Sequence, residues 1–163
     1  MNTRDLIMNL PDARLLHYEK PSFQWKRTQP LVSTYRPSGL WYTIGSNCLR
    51  WCTEDDMIKS PYIYEIILND VYLLHLANLE RLMEFEKYFG IYDNNRCQEI
   101  YWDQVGRYFG GIEFTPYIEA KRCASPWYYT IENECGCIWN PMVIKEVNLL
   151  YARTGEDEWQ AAY

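Results

Sequence analysis

The sequence predicts one α+β domain, with a largely antiparallel sheet and a few short helices. Its 163 residues suit a single domain and are enough to bury a full core. Hydrophobic residues make up 48% of the chain and charged residues 23%, close to the values of ordinary globular proteins. Strand-like segments alternate with short helical ones along its length. We therefore expect a single domain over 1–163, with its core in 13–150 and a polar tail in 152–163.

The N-terminal third is predicted to hold two strands and a short helix. Residues 13–18 form the first strand, which stops at the Lys20-Pro21 step. Residues 23–38 contain two prolines and are predicted to be an irregular surface loop. The apolar run 39–44 forms the second strand. Ser46 is a suitable N-cap for a short helix that would extend through Cys52.

The middle of the chain carries the clearest periodicity. Residues 62–68 are β-branched and aromatic and predict a strand, and the Asn69-Asp70 turn leads into another strand over 71–76. Asn78 is predicted to cap a helix that ends at Gly90. The predicted buried stripe of that helix consists of Leu79, Leu82, Met83, Glu86 and Phe89.

The C-terminal part is predicted to return to strands after one more helix. A polar loop over 93–96 leads to a helix around 101–109, and the strand 112–115 follows Gly110-Gly111. The segments 127–131 and 136–139 are predicted to pair as a hairpin, with 132–135 as its turn. Residues 143–151 form a last strand, and the polar residues 155–158 are expected to fray.

Composition and charge exclude several kinds of protein. No apolar run reaches the roughly 18–20 residues of a membrane-spanning helix, and the first ten residues lack the apolar stretch of a signal peptide. We therefore expect a cytoplasmic protein without a membrane partner. The net charge of −6 argues against a nucleic-acid surface, because phosphate neutralisation dominates such binding. A basic protein partner is compatible with that charge.

The cysteines do not point to a disulfide framework or a metal site. Six cysteines without an export signal are expected to be free thiols. The pairs Cys48/Cys52 and Cys135/Cys137 lack the usual zinc-site spacing, and the two histidines, His17 and His75, are far apart in sequence, so no metal is expected. A Cys–His nucleophile pair stays open as an alternative. Glycine-rich phosphate loops and the common hydrolase motifs are absent from the sequence.

Aromatic residues are the main departure from average composition. Fifteen Tyr, seven Trp and five Phe make up 17% of the chain, and many form doublets such as Trp41-Tyr42 and Tyr108-Phe109. Neighbours in a strand point to opposite faces, so a doublet supplies one ring to the core and one to the other surface. We expect most rings to fill the core and a few to contact a flat ligand.

Four segments occur in an order that resembles a known enzyme family. They are Leu15-Leu16-His17-Tyr18, Gly39-Leu40-Trp41-Tyr42-Thr43, Gly111-Ile112-Glu113-Phe114 and the run from Gly136 to Lys145. Together they resemble the ADP-ribosyltransferases of the poly-ADP-ribose polymerase and diphtheria-toxin type. The resemblance spans about residues 13–150. It implies a split antiparallel sheet whose central cleft binds extended NAD as the substrate.

The resemblance assigns the NAD contacts to the first two strands. It implies that His17 holds the adenosine ribose and that the backbone of Tyr18, where the family has glycine, contacts the nicotinamide amide. The aromatic residue that stacks on nicotinamide is Trp41 in an ungapped match and Tyr42 if the strand contains a bulge, with Thr43 beside them. Core packing is the competing role for either ring.

The resemblance also implies a catalytic carboxylate, which steadies the positive charge on ribose as nicotinamide leaves. Cys135 stands at the family's glutamate position, and a thiol does not perform that task. Four nearby acids are the candidate substitutes: Asp103, Glu134, Glu113 and Glu132. The acceptor of the ADP-ribose would be an intracellular protein or nucleotide. Lys121 and Arg122 are candidates for the pyrophosphate or for a protein partner, against the alternative of a solvated pair of loop charges.

Two other functions remain open from the sequence. A non-catalytic binding or inhibitor module would use exposed aromatic residues as interface anchors. A nucleotide-processing hydrolase is the third alternative. If the chain is a transferase, its size and lack of a translocation domain resemble those of phage effectors and toxin–antitoxin components.

Overall fold

The computed structural model describes residues 1–46 and 60–162. The helix predicted from Ser46 to Cys52 therefore lies mostly outside the described residues. The described helices and strands are, in chain order, α1 (Thr3–Asn9), β1 (Arg14–Tyr18), β2 (Leu40–Ile44), β3 (Tyr62–Leu68), β4 (Leu73–His75), α2 (Leu79–Phe89), β5 (Gly90–Asp93), β6 (Arg96–Ile100), α3 (Trp102–Val105), β7 (Gly111–Phe114), α4 (Pro126–Tyr129), β8 (Cys135–Ile138), β9 (Ile144–Gly155) and β10 (Glu158–Ala161). The predicted α+β class is confirmed.

The chain divides into two compact units. The first unit comprises Met1–Trp25, Tyr42–Leu68 and Ile144–Tyr163. The second unit comprises Lys26–Trp41 and Asn69–Val143. Strand β2 contributes its last three residues to the first unit.

The first unit is built on an antiparallel sheet in the strand order β10-β9-β3-β1-β2. Strand β1 is an interior strand, because Leu15 pairs with Thr43 of β2 on one side and with Glu65 of β3 on the other. Strand β3 also pairs along its length with β9. The sequence-based strands 13–18 and 62–68 are therefore confirmed to within one residue. Strand β3 is a β-branched and aromatic run, whereas β1 buries Leu15 and Leu16 between polar or partly buried residues.

The C-terminal tail is part of this unit, and the prediction that it frays is wrong. Strands β9 and β10 form a hairpin, with the polar residues 155–158 at its turn. Trp159 is buried, and its indole Nε1–H donates a hydrogen bond to Thr3 Oγ1 over 3.1 Å. Its ring packs in a cluster with Leu6, Leu15, Ile63 and Tyr151. The burial of one large aromatic ring outweighs the polar character of its neighbours.

The second unit contains a mixed sheet. Strands β4 and β7 are parallel, with His75 opposite Glu113, and β8 is antiparallel to β7, with Cys135 opposite Phe114. The predicted hairpin of 127–131 with 136–139 is wrong, since Pro126–Tyr129 is helical. Pro126 occupies the first turn of that helix, where its fixed φ favours helix and its missing N–H costs nothing.

A second departure lies between α2 and α3. The polar residues 93–96, predicted as a loop between helices, form the turn of a hairpin that pairs β5 with β6. Asn94 and Asn95 have φ of 49° and 60°, the left-handed conformation that tight two-residue hairpin turns require. The predicted helix over 101–109 is reduced to Trp102–Val105 followed by turns.

Helix α2 has the predicted ends but a different buried face. The Asn78 side chain accepts a hydrogen bond from Arg81 N over 2.9 Å, and the helix ends at Gly90 as expected. Its buried residues are Leu82, Phe85 and Glu86, whereas Leu79 and Met83 of the predicted stripe are exposed. The stripe is displaced because Phe85, rather than the two aliphatic residues, packs into the core.

Aromatic rings form the centre of the second unit. Trp102 is fully buried, and its ring centroid lies 5.9 Å from that of Phe85, 5.9 Å from Trp127 and 6.2 Å from Trp139. The indole of Trp102 donates to Thr34 O over 3.1 Å, which attaches the irregular segment 26–39 to this core. Six aromatic residues of this unit are buried in its core and four more pack against it, whereas seven tyrosines are exposed, so the expectation that most rings fill the core holds only when partly buried rings are included.

Candidate functional site

His17 keeps two unused polar atoms in the first unit. It lies on β1, and both ring nitrogens are shielded from solvent and have no hydrogen-bond partner among the described residues. Burial lowers the pKa of His17 below its usual value of 6.5, so the ring is neutral at pH 7. A neutral imidazole can donate one hydrogen bond and accept another. A ligand hydroxyl could form hydrogen bonds with these unpartnered ring nitrogens.

Tyr18 has a structural role for its ring. The ring centroid lies 5.3 Å from that of Phe23 and 6.1 Å from that of Tyr64, and the hydroxyl donates to Gln24 O over 2.6 Å. Tyr64 similarly donates to Lys20 O over 2.9 Å. The Tyr18 side chain therefore fixes the segment after β1, and any ligand contact it makes is through the backbone.

The doublet on β2 alternates in burial as expected. Tyr42 is 1% exposed, whereas Trp41 is half-buried and packs against the core cluster of the second unit. The Arg36 guanidinium lies 4.2 Å from the centroid of the Trp41 ring. One face of Trp41 therefore already holds a cation, and a flat ligand must use the other face or displace Arg36. The Thr43 hydroxyl donates to Leu15 O over 3.4 Å.

Gly39 precedes this doublet for a packing reason. A Cβ at this position would lie 2.8 Å from Cys137 Sγ and closer still to the Ile138 carbonyl oxygen. Only glycine allows this close approach. The glycine of the motif is thus explained by packing within the second unit, whether or not a ligand is bound.

The four candidate acids have different environments. Asp103 on α3 and Glu132 before β8 are exposed, and Glu134 is half-buried and accepts a hydrogen bond from Thr115 Oγ1 over 3.3 Å. Glu113 on β7 is 4% exposed. Cys135 is buried on β8 with its backbone opposite Phe114, so the register places it one residue from the partner of Glu113.

Glu113 takes part in an arrangement that the sequence analysis missed. Its Oε1 lies 3.5 Å from His75 Nδ1, and Asp70 Oδ1 lies 3.4 Å from the other ring nitrogen of the same histidine. The parallel register of β4 and β7 creates this proximity, which sequence spacing does not reveal. His75 thus lies between two carboxylates, one near each ring nitrogen. Within residues 1–46 and 60–162, no cluster of three or more His, Cys, Asp or Glu is arranged to hold a metal ion.

Lys121 does not extend into solvent as a free loop charge. Its Nζ lies 2.8 Å from Glu86 Oε2 and 3.3 Å from Ser125 Oγ, and the Trp127 indole donates to Glu86 Oε1 over 2.8 Å. Glu86 is 3% exposed. The charge of Lys121 is therefore used to compensate a buried carboxylate, which leaves Arg122 as the available cation of this loop.

The thiols behave as the sequence predicts where they are described. Cys97, Cys123, Cys135 and Cys137 form no disulfide bond, and only Cys123 among them is exposed. Burial raises the pKa of Cys97 to about 12 and raises that of Cys137 further, which makes both unreactive at neutral pH. Cys48 and Cys52 lie outside the described residues.

No helix in residues 1–46 and 60–162 combines the length and the apolar character that crossing a bilayer requires.

An open groove on the second unit exposes several aromatic rings. It has a volume of about 640 Å³, and we call it the tyrosine groove; it is lined by Tyr88, Phe89, Tyr101, Gln104, Tyr108 and Phe109. Tyr88 and Tyr108 are about 70% exposed (70% and 71%). The end of α2, helix α3 with the residue before it, and the turns after α3 supply these residues. The doublets Tyr88-Phe89 and Tyr108-Phe109 are the sequence signal for it, although they do not show that the two doublets meet.

No protein-family model matches the chain, and neither does any curated protein or solved structure.

Proposed function

We propose that this chain is a binding protein whose tyrosine groove holds a basic segment of a partner protein. The single observation that supports this proposal is the groove itself, which is lined by five aromatic rings and one amide, with its three tyrosines exposed and no charged side chain among its lining residues. Tyrosine side chains dominate binding hot spots because they offer a large rigid surface and a hydroxyl at low entropic cost.

The groove is held in shape by the core beneath it. Phe89 lies 5.3 Å from Phe85 of the buried cluster and 6.3 Å from Tyr108, measured between ring centroids. The backbone N–H of Tyr101 donates to Phe89 O over 2.9 Å, which joins the two sides of the groove. A surface that is ordered before binding loses less entropy when a partner arrives.

Charge and ring chemistry favour a basic partner. The chain carries a net charge of −6, which attracts and orients a cationic segment from a distance. At contact, arginine and lysine bind favourably over tyrosine faces. The Gln104 side chain adds a carbonyl oxygen that accepts hydrogen bonds from a guanidinium.

We expect a fluorescein-labelled arginine-rich decapeptide to bind the wild-type chain, and Tyr88→Ala with Tyr108→Ala to weaken that binding about tenfold or more. Fluorescence anisotropy at two salt concentrations measures the dissociation constants. Tyr72→Ala is the matched control, since Tyr72 is another exposed tyrosine of the second unit (53%) but is not among the residues that line the groove.

Comparisons between peptides and between variants test whether the groove binds a basic segment. A serine–glycine peptide and a glutamate-rich peptide of the same length should bind much more weakly than the arginine-rich one. Equal binding of all three peptides, or equal losses in the groove variants and in Tyr72→Ala, would contradict the proposed function.

A second candidate function is transfer of ADP-ribose from NAD to an intracellular acceptor. The observation that favours it is the pair of unpartnered ring nitrogens of His17, at the position to which the resemblance assigns the ribose contact. A ribose diol both donates and accepts hydrogen bonds, which suits a neutral imidazole. In this candidate function the fold is the split antiparallel sheet of the family, and the catalytic carboxylate is one of four acids: Asp103, Glu134, Glu113 or Glu132.

For this candidate we expect millimolar NAD to raise the melting temperature of the wild-type chain, and His17→Ala to abolish that rise. His75→Ala is the control, because it removes the other histidine of the chain. Labelled NAD with a cell lysate then tests transfer, with each of the four acids replaced by alanine in turn. Absence of both a thermal shift and transfer in the wild type eliminates this candidate and leaves the peptide-binding result unaffected.

A further inference from the structure

A second open pocket of the second unit has the opposite charge to the chain. It has a volume of about 450 Å³, and we call it the arginine pocket; it is lined by Tyr35, Arg96, Arg122, Cys123, Pro126, Tyr129 and Thr130. None of these seven residues is acidic, although the whole chain has a net charge of −6. Its volume falls within the range of roughly 300–1,000 Å³ that small-molecule sites occupy.

Arg96 is held in place without losing its charge. It is the first residue of β6, after the tight Asn94-Asn95 turn. Its Nη2 donates to Cys123 O over 2.9 Å and its Nε donates to Ala124 O over 3.4 Å. Carbonyl oxygens orient a guanidinium but do not neutralise it, so the remaining N–H groups present a fixed positive charge.

Arg122 supplies the second cation beside an aromatic ring. Its guanidinium carbon lies 5.7 Å from the centroid of the Tyr129 ring. Glu119 Oε1 is 3.8 Å from Arg122 Nη1, but both side chains are exposed, and exposed ion pairs of this kind are weak. Arg122 can therefore exchange this partner for a bound anion.

Tyr35 is brought to the pocket by a contact that its sequence surroundings do not predict. Thr34 and Ile100 exchange backbone hydrogen bonds of 3.3 and 3.0 Å, which fix the irregular segment at this point. Tyr35 and Tyr129 are 44% and 56% exposed. The pocket thus combines two guanidinium groups with two accessible phenol rings.

We propose that the arginine pocket binds a free nucleoside monophosphate, a ligand that combines a phosphate monoester with a flat heteroaromatic base. Two guanidinium groups match the oxygens of a phosphate by paired hydrogen bonds. Tyrosine faces stack on a heteroaromatic base. This site shares no residue with the tyrosine groove, and it shares only Arg122 with the NAD candidate, in which that arginine is a candidate for the pyrophosphate.

Cys123 provides a direct measure of occupancy. It is the exposed thiol among the four described cysteines and it lines the pocket, so a bound ligand shields it. We expect millimolar AMP to slow alkylation of Cys123 by uncharged iodoacetamide at least severalfold, as measured by mass spectrometry of the peptide that contains it. Inorganic phosphate should protect less than AMP, and adenosine should protect least.

Two arginine variants distinguish specific binding of AMP in the pocket from a general effect of the protein's charge. Arg122→Ala should weaken AMP binding, measured by calorimetry, about tenfold or more, because one set of charge-assisted hydrogen bonds is lost. Arg81→Ala on the exposed surface of α2 is the matched control and should bind AMP as the wild type does. Melting curves of both variants establish that they remain folded.

Four results would overturn the proposal. They are absence of AMP binding at millimolar concentration, equal protection by adenosine and AMP, equal protection by phosphate and AMP, and equal losses in Arg122→Ala and Arg81→Ala. Stronger protection by phosphotyrosine than by AMP would likewise overturn the nucleotide as the ligand.

Discussion

Replacing Trp102 with alanine is expected to lower the free energy of unfolding by about 3–5 kcal/mol, the usual cost of truncating a buried large aromatic residue. Trp102 is fully buried at the centre of the second unit, in ring contact with Phe85, Trp127 and Trp139. The substitution also removes the indole hydrogen bond to Thr34 O. Urea unfolding monitored by circular dichroism measures the change.

Two further variants test that explanation. Trp102→Phe keeps a ring but loses the donor, so its stability should lie between those of the wild type and Trp102→Ala. Tyr108→Ala removes an exposed ring and should change the free energy of unfolding by only about 0.5 kcal/mol. A loss for Trp102→Ala no larger than that for Tyr108→Ala would contradict the central position of Trp102.

Replacing Lys121 with methionine is expected to destabilise the chain by about 3 kcal/mol, because it leaves the buried Glu86 carboxylate without its cation. Lys121 Nζ and Glu86 Oε2 are 2.8 Å apart, and their side chains are 14% and 3% exposed. Methionine keeps the length and apolar stem of lysine, so the loss reports on charge rather than on packing. The same urea titration measures it.

The expected rescue makes this prediction specific. Adding Glu86→Gln to Lys121→Met should restore part of the lost stability, because glutamine is uncharged and its carbonyl oxygen can still accept from Trp127 Nε1. Lys87→Met, on the exposed surface of α2, is the control and should cost about 0.5 kcal/mol or less. If the double variant is no more stable than Lys121→Met, the pair is not coupled as proposed.

Local signals of the sequence predicted the elements whose structure depends on their own residues. The strand 62–68 was predictable because its β-branched and aromatic run suits a strand in any context. Helix α2 was predictable at both ends because Asn78 caps its first turn and the helix stops at Gly90. The buried face of α2 was not predictable, because the exposure of its side chains depends on what packs against the helix rather than on the sequence of the helix itself.

Elements whose conformation depends on distant partners were mispredicted. The 127–131 segment has aromatic residues that favour a strand, yet it forms α4, in which Trp127 donates to Glu86 forty-one positions earlier. The polar tail is ordered because Trp159 reaches Thr3 at the other end of the chain. Such contacts outweigh local propensity because burying a large aromatic ring stabilises the fold by more free energy than the differences in secondary-structure propensity between residues.

The candidate sites divide in the same way. Sequence alone determined that aromatic residues are unusually frequent, that the chain is acidic, and that His17 and the doublet Trp41-Tyr42 lie on successive predicted strands. Only the tertiary structure decided that Lys121 is paired with Glu86 and that Glu113 lies beside His75. It also decided which tyrosines line the tyrosine groove and which arginines meet in the arginine pocket. The reason is physical: composition and pattern fix which side chains are available, whereas strand register and ring packing fix which of them meet.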